Sequence, residues 1–325
     1  MKSVAKKIRF GVLGAAKIAT ARVIPGMQTC EFAEVAAIAS RDIGKAKEAA
    51  GALGIAKAYG SYEELLADPE IDAIYNPLPN HLHVRWSIRA MEAGKHVLCE
   101  KPIGMNREEA LRMIAARDRT GVKAAEAFMV RVHPQWLRTA EIVQSGEIGE
   151  LRMMHCVFGY FNRDAANIRN RPECGGGALM DIGCYPIFFA RWIFGAEPVR
   201  VSARIERDPD FGTDHTTSGL LDFPNGQALF TTSTQMNPWQ RAQFFGTKGH
   251  VEVEVPVNAP PDRETRIFVR VGAEDRTETF PVCNQYGLQG DAFARAILDN
   301  SEVPVSLENA AGNMAVIDAL LASVK

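Results

Sequence analysis

Ile8-Arg9-Phe10-Gly11-Val12-Leu13-Gly14-Ala15-Ala16-Lys17-Ile18-Ala19 is the stretch on which the fold turns. A mostly apolar run followed by a glycine and two alanines reads as a buried strand ending in a tight turn. Residues 18–28 follow with helical spacing, and residues 35–40 with a second strand pattern. A strand–turn–helix–strand unit of about thirty residues is the setting in which such a turn holds a dinucleotide's diphosphate.

The alternation continues. Helix pattern resumes at 42–53, Ser61-Tyr62-Glu63-Glu64 is a capping box opening a short helix, and residues 71–75 form the fourth strand in the count. A helix over 83–93 leads to a fifth strand at 96–99, Asn106-Arg107-Glu108-Glu109 caps another helix to 120, and residues 123–128 close the series. Six strands alternating with helices predict an α/β fold with a doubly wound parallel sheet, a Rossmann domain. Gly14, Ala15, Ala16, Lys17 and Ile18 are the expected diphosphate contacts, since small side chains and the N–H groups opening the helix admit the anion. At the end of the second strand stand Ser40 and Arg41, with Lys45 one turn on. An acidic residue there would bind the ribose hydroxyl of NAD, whereas arginine accommodates the 2′-phosphate of NADP. Asp42 reads as a helix N-cap, so the pattern favours NADP over NAD.

After Leu151 the period changes. Strand patterns at 151–161, 199–207, 216–223, 227–235, 243–245, 250–255 and 265–271, with a hairpin signal at Pro224-Asn225-Gly226, predict a large, mostly antiparallel open sheet in an α+β second domain. A helix over 179–194 crosses it, and helices over 288–298 and 307–324 are expected to return to the first domain. The expected division is residues 1–130 for the dinucleotide and 131–325 for substrate and self-association.

Two segments carry chemistry. Glu100-Lys101-Pro102 ends the fifth strand, placing a lysine at the carboxyl edge of the sheet, where open α/β sheets bind ligands. Gly175-Gly176-Gly177-Ala178-Leu179-Met180-Asp181-Ile182-Gly183-Cys184-Tyr185 enters the crossing helix tightly and puts Asp181 and Tyr185, four apart, on one face. A purely structural Asp–Tyr contact is the competing reading of that pair.

Composition narrows the class. At 325 residues and 46% hydrophobic the chain can bury a sizeable core, and a net charge of −2 gives no nucleic-acid surface. The six cysteines show neither C-x-x-C nor zinc spacing, as expected of free thiols in a reducing compartment. The basic start (Lys2, Lys6, Lys7) runs straight into Ile8 with no signal-peptide stretch, and no window is long and apolar enough for a membrane span, so a cytoplasmic protein is expected. His81 and His83 form an H-x-H without a third ligand at suitable spacing, so no metal is expected. Trp86 and Trp136 lie on apolar helix faces and read as core, and Arg163, Arg169 and Arg171 sit in a polar loop from which one could reach a ligand.

Together, Gly14-Ala15-Ala16, Glu100-Lys101-Pro102 and the D-x-G-x-Y segment at 181–185 resemble the glucose–fructose oxidoreductase/inositol dehydrogenase (Gfo/Idh/MocA-like) family over essentially the whole chain. Tyrosine at 185, where inositol dehydrogenases have histidine, resembles the aldose and dihydrodiol branch. The resemblance implies an NADP-dependent oxidoreductase of a pyranose sugar in which Lys101, Asp181 and Tyr185 surround the reacting carbon. It implies cofactor contacts at Asn76, Leu78, Asn80, His83, Glu100, Lys101 and Arg131, with Glu126 in the segment near the nicotinamide side, and substrate contacts at Lys101, Arg169, Asp181, Tyr185 and Tyr286. Homodimers or homotetramers through the second-domain sheet are also implied. The chain departs from the periplasmic glucose–fructose enzyme in lacking a long N-terminal arm and export signal, and Ala16 replaces the commoner glycine. Tyr185 would act as acid/base, Lys101 as its electrostatic tuner and a substrate hydrogen-bond donor, and Asp181 as orienter of sugar hydroxyls. The alternatives are an aldose–aldose oxidoreductase with a retained cofactor, a dehydrogenase of cyclic diols or inositols, and a non-enzymatic NADP(H) sensor.

Overall fold

The computed structural model describes residues 6–324, so Lys2 lies outside the described residues. In chain order the strands are β1 (Ile8–Leu13), β2 (Ala33–Ala39), β3 (Lys57–Tyr59), β4 (Ala73–Asn76), β5 (His96–Cys99), β6 (Ala124–Glu126), β7 (Leu151–Phe161), β8 (Arg200–Arg207), β9 (Asp214–Phe223), β10 (Gly226–Ser233), β11 (Gln235–Gly246), β12 (Gly249–Val253), β13 (Thr265–Val271) and β14 (Glu274–Phe280). The helices are α1 (Ile24–Met27), α2 (Ile43–Leu53), α3 (Tyr62–Ala67), α4 (Asn80–Glu92), α5 (Arg107–Thr120), α6 (Pro134–Gln144), α7 (Cys184–Phe194), α8 (Gln285–Leu298) and α9 (Leu307–Ala322). Among the described residues no helix is long and apolar enough to cross a membrane.

Contacts divide the chain into two units. The first comprises residues up to Gly104, Glu108–Val132 and Asn284–Ala311. Its six strands are all parallel, in the order β3-β2-β1-β4-β5-β6, so the sheet reverses its winding between β1 and β4. Phe10, Val12, Tyr75 and Leu98 bury one sheet face against Val23, Ile24 and Met27, and α8 adds Phe293 to the same core. The predicted helix over 18–28 is instead a π-helical turn, Ala19–Val23, followed by the short α1. At Gly26 a Cβ would stand 2.8 Å from Tyr286, so only glycine lets α1 and the start of α8 approach this closely. The strand without assigned residues is β3, three half-buried residues at the sheet edge, too short for an alternating pattern to show.

The second unit holds His133–Cys283 with Gly312–Lys325. Its eight strands run β14-β13-β12-β11-β7-β10-β9-β8, antiparallel except for the parallel β7–β10 pair. Two strands depart from expectation. β11 begins at Gln235 because a register shift between Gln235 and Trp239 absorbs Pro238, a residue that sheets tolerate at bulges. β14 is an edge strand whose charged, exposed residues hide the alternation. The end of the chain differs too. From Gly312 onward α9 belongs to this second unit, because Gly312 leaves room for the Arg191 guanidinium and the Asn313 amide donates to the Cys184 carbonyl at 3.1 Å.

Phe158, Phe244, Val251 and Val269 bury one sheet face, and α6 and α7 supply Trp136 and Phe189 to the same core. The Trp136 ring stacks on Phe189 at 4.0 Å, meets Phe244 edge-on at 6.0 Å, and donates its Nε1–H to the Pro256 carbonyl at 2.7 Å. Trp136→Ala is expected to cost about 3–5 kcal/mol in denaturant unfolding. A cost below about 1 kcal/mol would show that this ring is not a keystone of the unit.

Candidate active site

In the first unit the turn after β1 depends on a glycine. Gly14 has φ +88°, a left-handed conformation, and donates its N–H to the Ala39 carbonyl at 2.7 Å. A Cβ there would come within 3.2 Å of Leu78, which itself follows β4. Ala15, Ala16, Lys17 and Ile18 open the helical segment, whose first N–H groups have no intrahelical acceptor. This cradle fits a diphosphate. Ser40 follows β2, and the exposed Arg41 lies beside the phenol of Tyr62. The Asp42 carboxylate accepts from the N–H groups of Gly44 (2.9 Å) and Lys45 (3.3 Å), so it caps α2, as expected, and does not serve as the acidic ribose ligand. Lys45 is exposed one turn into that helix.

Two expected cofactor contacts, Asn76 and His83, have partners within the protein. The Asn76 amide donates to the His83 carbonyl and to Ser87 Oγ, each at 3.0 Å, while its oxygen accepts from Leu78 N–H at 3.3 Å. His83 is buried, with Nδ1 at 2.8 Å from the Pro102 carbonyl and Nε2 at 2.6 Å from the Leu78 carbonyl. Burial pushes its imidazole down to about 4. His83 thus ties the loop after β4 to the turn after β5. His81 is exposed, and among the described residues no group of three or more His, Cys, Asp or Glu is placed to hold a metal.

That tie supports Glu100 and Lys101. Glu100 is buried, accepting from the Tyr75 hydroxyl at 2.8 Å and from Lys101 N–H at 3.3 Å. Glu126 accepts from Ile103 N–H at 2.7 Å on the other side of the same turn. Tyr286, at the start of α8, feels Glu100 as well; burial first, then that carboxylate, pushes its phenol up to about 12. Lys101 is half-buried after β5, Asn80 half-buried at the start of α4, and burial lowers the Arg131 guanidinium from its ordinary value.

The second unit explains the glycine run. Gly177 has φ +111°, and a Cβ on it would overlap the Asp214 carboxylate. That carboxylate accepts from Leu179 N–H and from Thr217 Oγ–H, each at 2.7 Å, and so caps the crossing helix. Gly177 and Gly176 also donate to the Arg169 and Arg171 carbonyls, at 2.8 and 3.1 Å. The glycines therefore clasp the loop that carries Arg169. The helix opens as a π-turn, Leu179–Gly183, a form frequent at functional sites, and Asp181 sits in it.

Asp181 Oδ2 receives the Arg169 Nε at 2.9 Å and the Tyr160 hydroxyl at 2.6 Å. Asp181's charge holds the Arg169 proton more tightly, with Tyr160 and Tyr185 adding to it. Burial, then Asp181, pushes the Tyr160 phenol well above its ordinary value, so it remains a donor. Tyr185 is buried, its ring edge-on to Phe158 at 6.1 Å. Arg169 is thus no solvated loop charge. Tyr160 and Asp214 are absent from the sequence-based set; the signal for Tyr160 was a phenol among the inward residues Met154, Cys156 and Phe158 of β7.

Fold and site together define a two-unit oxidoreductase with a dinucleotide-binding first half. The chain belongs to the GFO/IDH/MocA family: residues 8–128 match the oxidoreductase family's NAD-binding Rossmann fold and residues 136–252 its C-terminal domain. It is 48% identical to the uncharacterised oxidoreductase ORF334 of Rhizobium meliloti, over 98% of this chain and 97% of that one. It is 38% identical to D-xylose 1-dehydrogenase (NADP(+)) 2 of Haloferax volcanii, covering 97% of each. Its structure resembles that of KijD10, a 3-ketoreductase of Actinomadura kijaniata in complex with NADP and TDP-benzene, with TM-score 0.91 and 30% identity over 98% of each chain. The cofactor expected from Arg41 is the one these last two proteins are described with.

Proposed function

We propose that the protein oxidises an aldose at a ring hydroxyl, or reduces the corresponding carbonyl, with NADP as the nicotinamide carrier. The observation that carries this reading is the Asp181 cluster: a carboxylate fixed by Arg169 and Tyr160, one helical turn from Tyr185. The similarity to an NADP-dependent D-xylose dehydrogenase supports the substrate class.

When bound, the nicotinamide supplies the two-electron acceptor, and the protein handles everything else. Oxidation breaks the C–H and O–H bonds of one carbinol and forms a carbonyl. Tyr185 Oη holds the proton released from the hydroxyl, and Lys101 Nζ donates a hydrogen bond to that oxygen. Asp181 accepts from neighbouring sugar hydroxyls and orients the ring. Gly14 to Ile18 hold the diphosphate, and Arg41 holds the 2′-phosphate. The protein self-associates through the open face of the large sheet, where Met153 and Leu229 are exposed.

The test is a panel of D-xylose, D-glucose, a cyclic trans-diol and myo-inositol with NADP⁺, comparing kcat/KM. The aldoses are expected to lead; preference for the diol or inositol would replace the substrate assignment. For the cofactor, Arg41→Asp should lower the NADP⁺/NAD⁺ ratio of kcat/KM by about 10² or more, since charge-assisted contacts to a phosphate are each worth roughly 1.5–3 kcal/mol. An unchanged ratio would remove Arg41 from the 2′-phosphate.

A further inference from the structure

The start of α3 carries a phenol to the dinucleotide turn. Ser61 Oγ accepts from Glu64 N–H at 3.1 Å, and this cap fixes Tyr62 as the first helical residue. Tyr62 is only 6% exposed, and its ring meets Trp86 of α4 edge-on at 4.7 Å. The Arg89 guanidinium lies 4.4 Å from the centre of the Trp86 ring and pairs with Glu63 at 2.8 Å. α3 and α4 thus hold the phenol in one orientation.

That orientation has a chemical consequence. A Cβ added to Gly14 would stand 3.4 Å from the Tyr62 oxygen, so the hydroxyl lies against the turn after β1. Arg41, exposed just after β2, hydrogen-bonds the same oxygen. A guanidinium only donates, so the phenol oxygen accepts from it and its own O–H is not spent on that contact. Burial holds the phenol above its ordinary value against the pull of Arg41, and the proton stays in place at neutral pH. Among the described residues no acceptor takes this O–H. A buried donor aimed at a ligand-binding turn without a protein acceptor calls for an acceptor on the ligand. Two converging donors, one of them charged, suit an oxyanion, and the group that NADP has and NAD lacks at this end is the 2′-phosphate.

From these observations we propose that Tyr62 is a ligand of the 2′-phosphate of NADP. Its O–H donates to a phosphate oxygen, while its own oxygen holds the Arg41 guanidinium over the same phosphate. The inference rests on the placement of Arg41 at that phosphate and adds the second group by which the protein tells NADP from NAD.

Calorimetric titration with adenosine 2′,5′-bisphosphate and with 5′-AMP reads the 2′-phosphate without turnover, because the two nucleotides differ only in that group. The protein should prefer the bisphosphate. Tyr62→Phe keeps the ring against Trp86 and should lower that preference about tenfold, the scale of one hydrogen bond to a charged group, with 5′-AMP affinity within about twofold. Arg41→Ala should lower it by about tenfold or more, and the double variant should lose less than the product of the two, since both groups share one phosphate. A preference unchanged in Tyr62→Phe but lowered in Arg41→Ala would overturn the Tyr62 assignment alone. Equal losses for 5′-AMP and the bisphosphate in Tyr62→Phe would overturn it too, making the phenol a wall of the adenosine pocket. So would losses that multiply in the double variant. Failure of the Arg41 placement looks different: Arg41→Ala leaves the preference unchanged, and a tenfold fall in Tyr62→Phe would then still assign the phosphate to Tyr62.

Discussion

Tyr185→Phe should lower kcat by about 10² or more and leave KM for the sugar within a few-fold, on the usual scale of general acid–base contributions. The substitution removes one oxygen and retains the ring that packs edge-on against Phe158 and near Phe189, so the helix should stay folded. A loss of this size corresponds to about 2.7 kcal/mol of transition-state stabilisation. Equal thermal midpoints for the two proteins would separate chemistry from folding. If Tyr185→Phe turns over at near-normal rate, the proton is carried elsewhere, and Lys101 becomes the candidate. Tyr160 could not take that part, because burial and Asp181 keep its phenol protonated.

Lys101→Ala should be as damaging, again about 10² or more in kcat/KM. Lys101 follows β5 on a turn built with care: Glu100 accepts its backbone N–H, Glu126 accepts Ile103 N–H, and His83 Nδ1 meets the carbonyl of Pro102. Removing the side chain leaves these backbone contacts in place. The loss should therefore appear in turnover and in sugar KM without a matching fall in stability. Lys101→Arg keeps the charge but not the compact ammonium, and should recover only part of the activity. An Ala variant that unfolds at lower temperature, with activity per folded molecule unchanged, would make Lys101 a structural residue.

The parts of this account that were legible in the sequence are the local ones. β1, the turn at Gly14 and the N-cap at Asp42 each span a few residues, and their residue types alone specify the geometry. The four-residue spacing of Asp181 and Tyr185 in an apolar helix was also legible, and both lie in the crossing helix. Long-range contacts left weaker traces. Asp214 caps Leu179 from 35 positions away, and Tyr160 reaches Asp181 across 21, so neither pairing could be read from periodicity. The Gly175–Gly177 run implied close packing without naming the carboxylate it admits. Asn76 and His83 came from the family resemblance, and their protein partners, the carbonyls of His83, Leu78 and Pro102 and the Ser87 hydroxyl, could not be read from periodicity either. Edge strands β3 and β14 escaped because an edge is short or charged where a central strand is apolar.

The most direct test of the aldose reading follows reduced-nicotinamide absorbance after mixing protein, an equal concentration of NADP⁺ and excess D-xylose or D-glucose. The account predicts growth until the added NADP⁺ is consumed with at least one sugar, and no growth with Lys101→Ala. A fall in absorbance when a second aldose is added, without further NADP⁺, would identify cofactor recycling between two sugars. No absorbance change with any aldose, while the protein binds NADP⁺, would contradict the account.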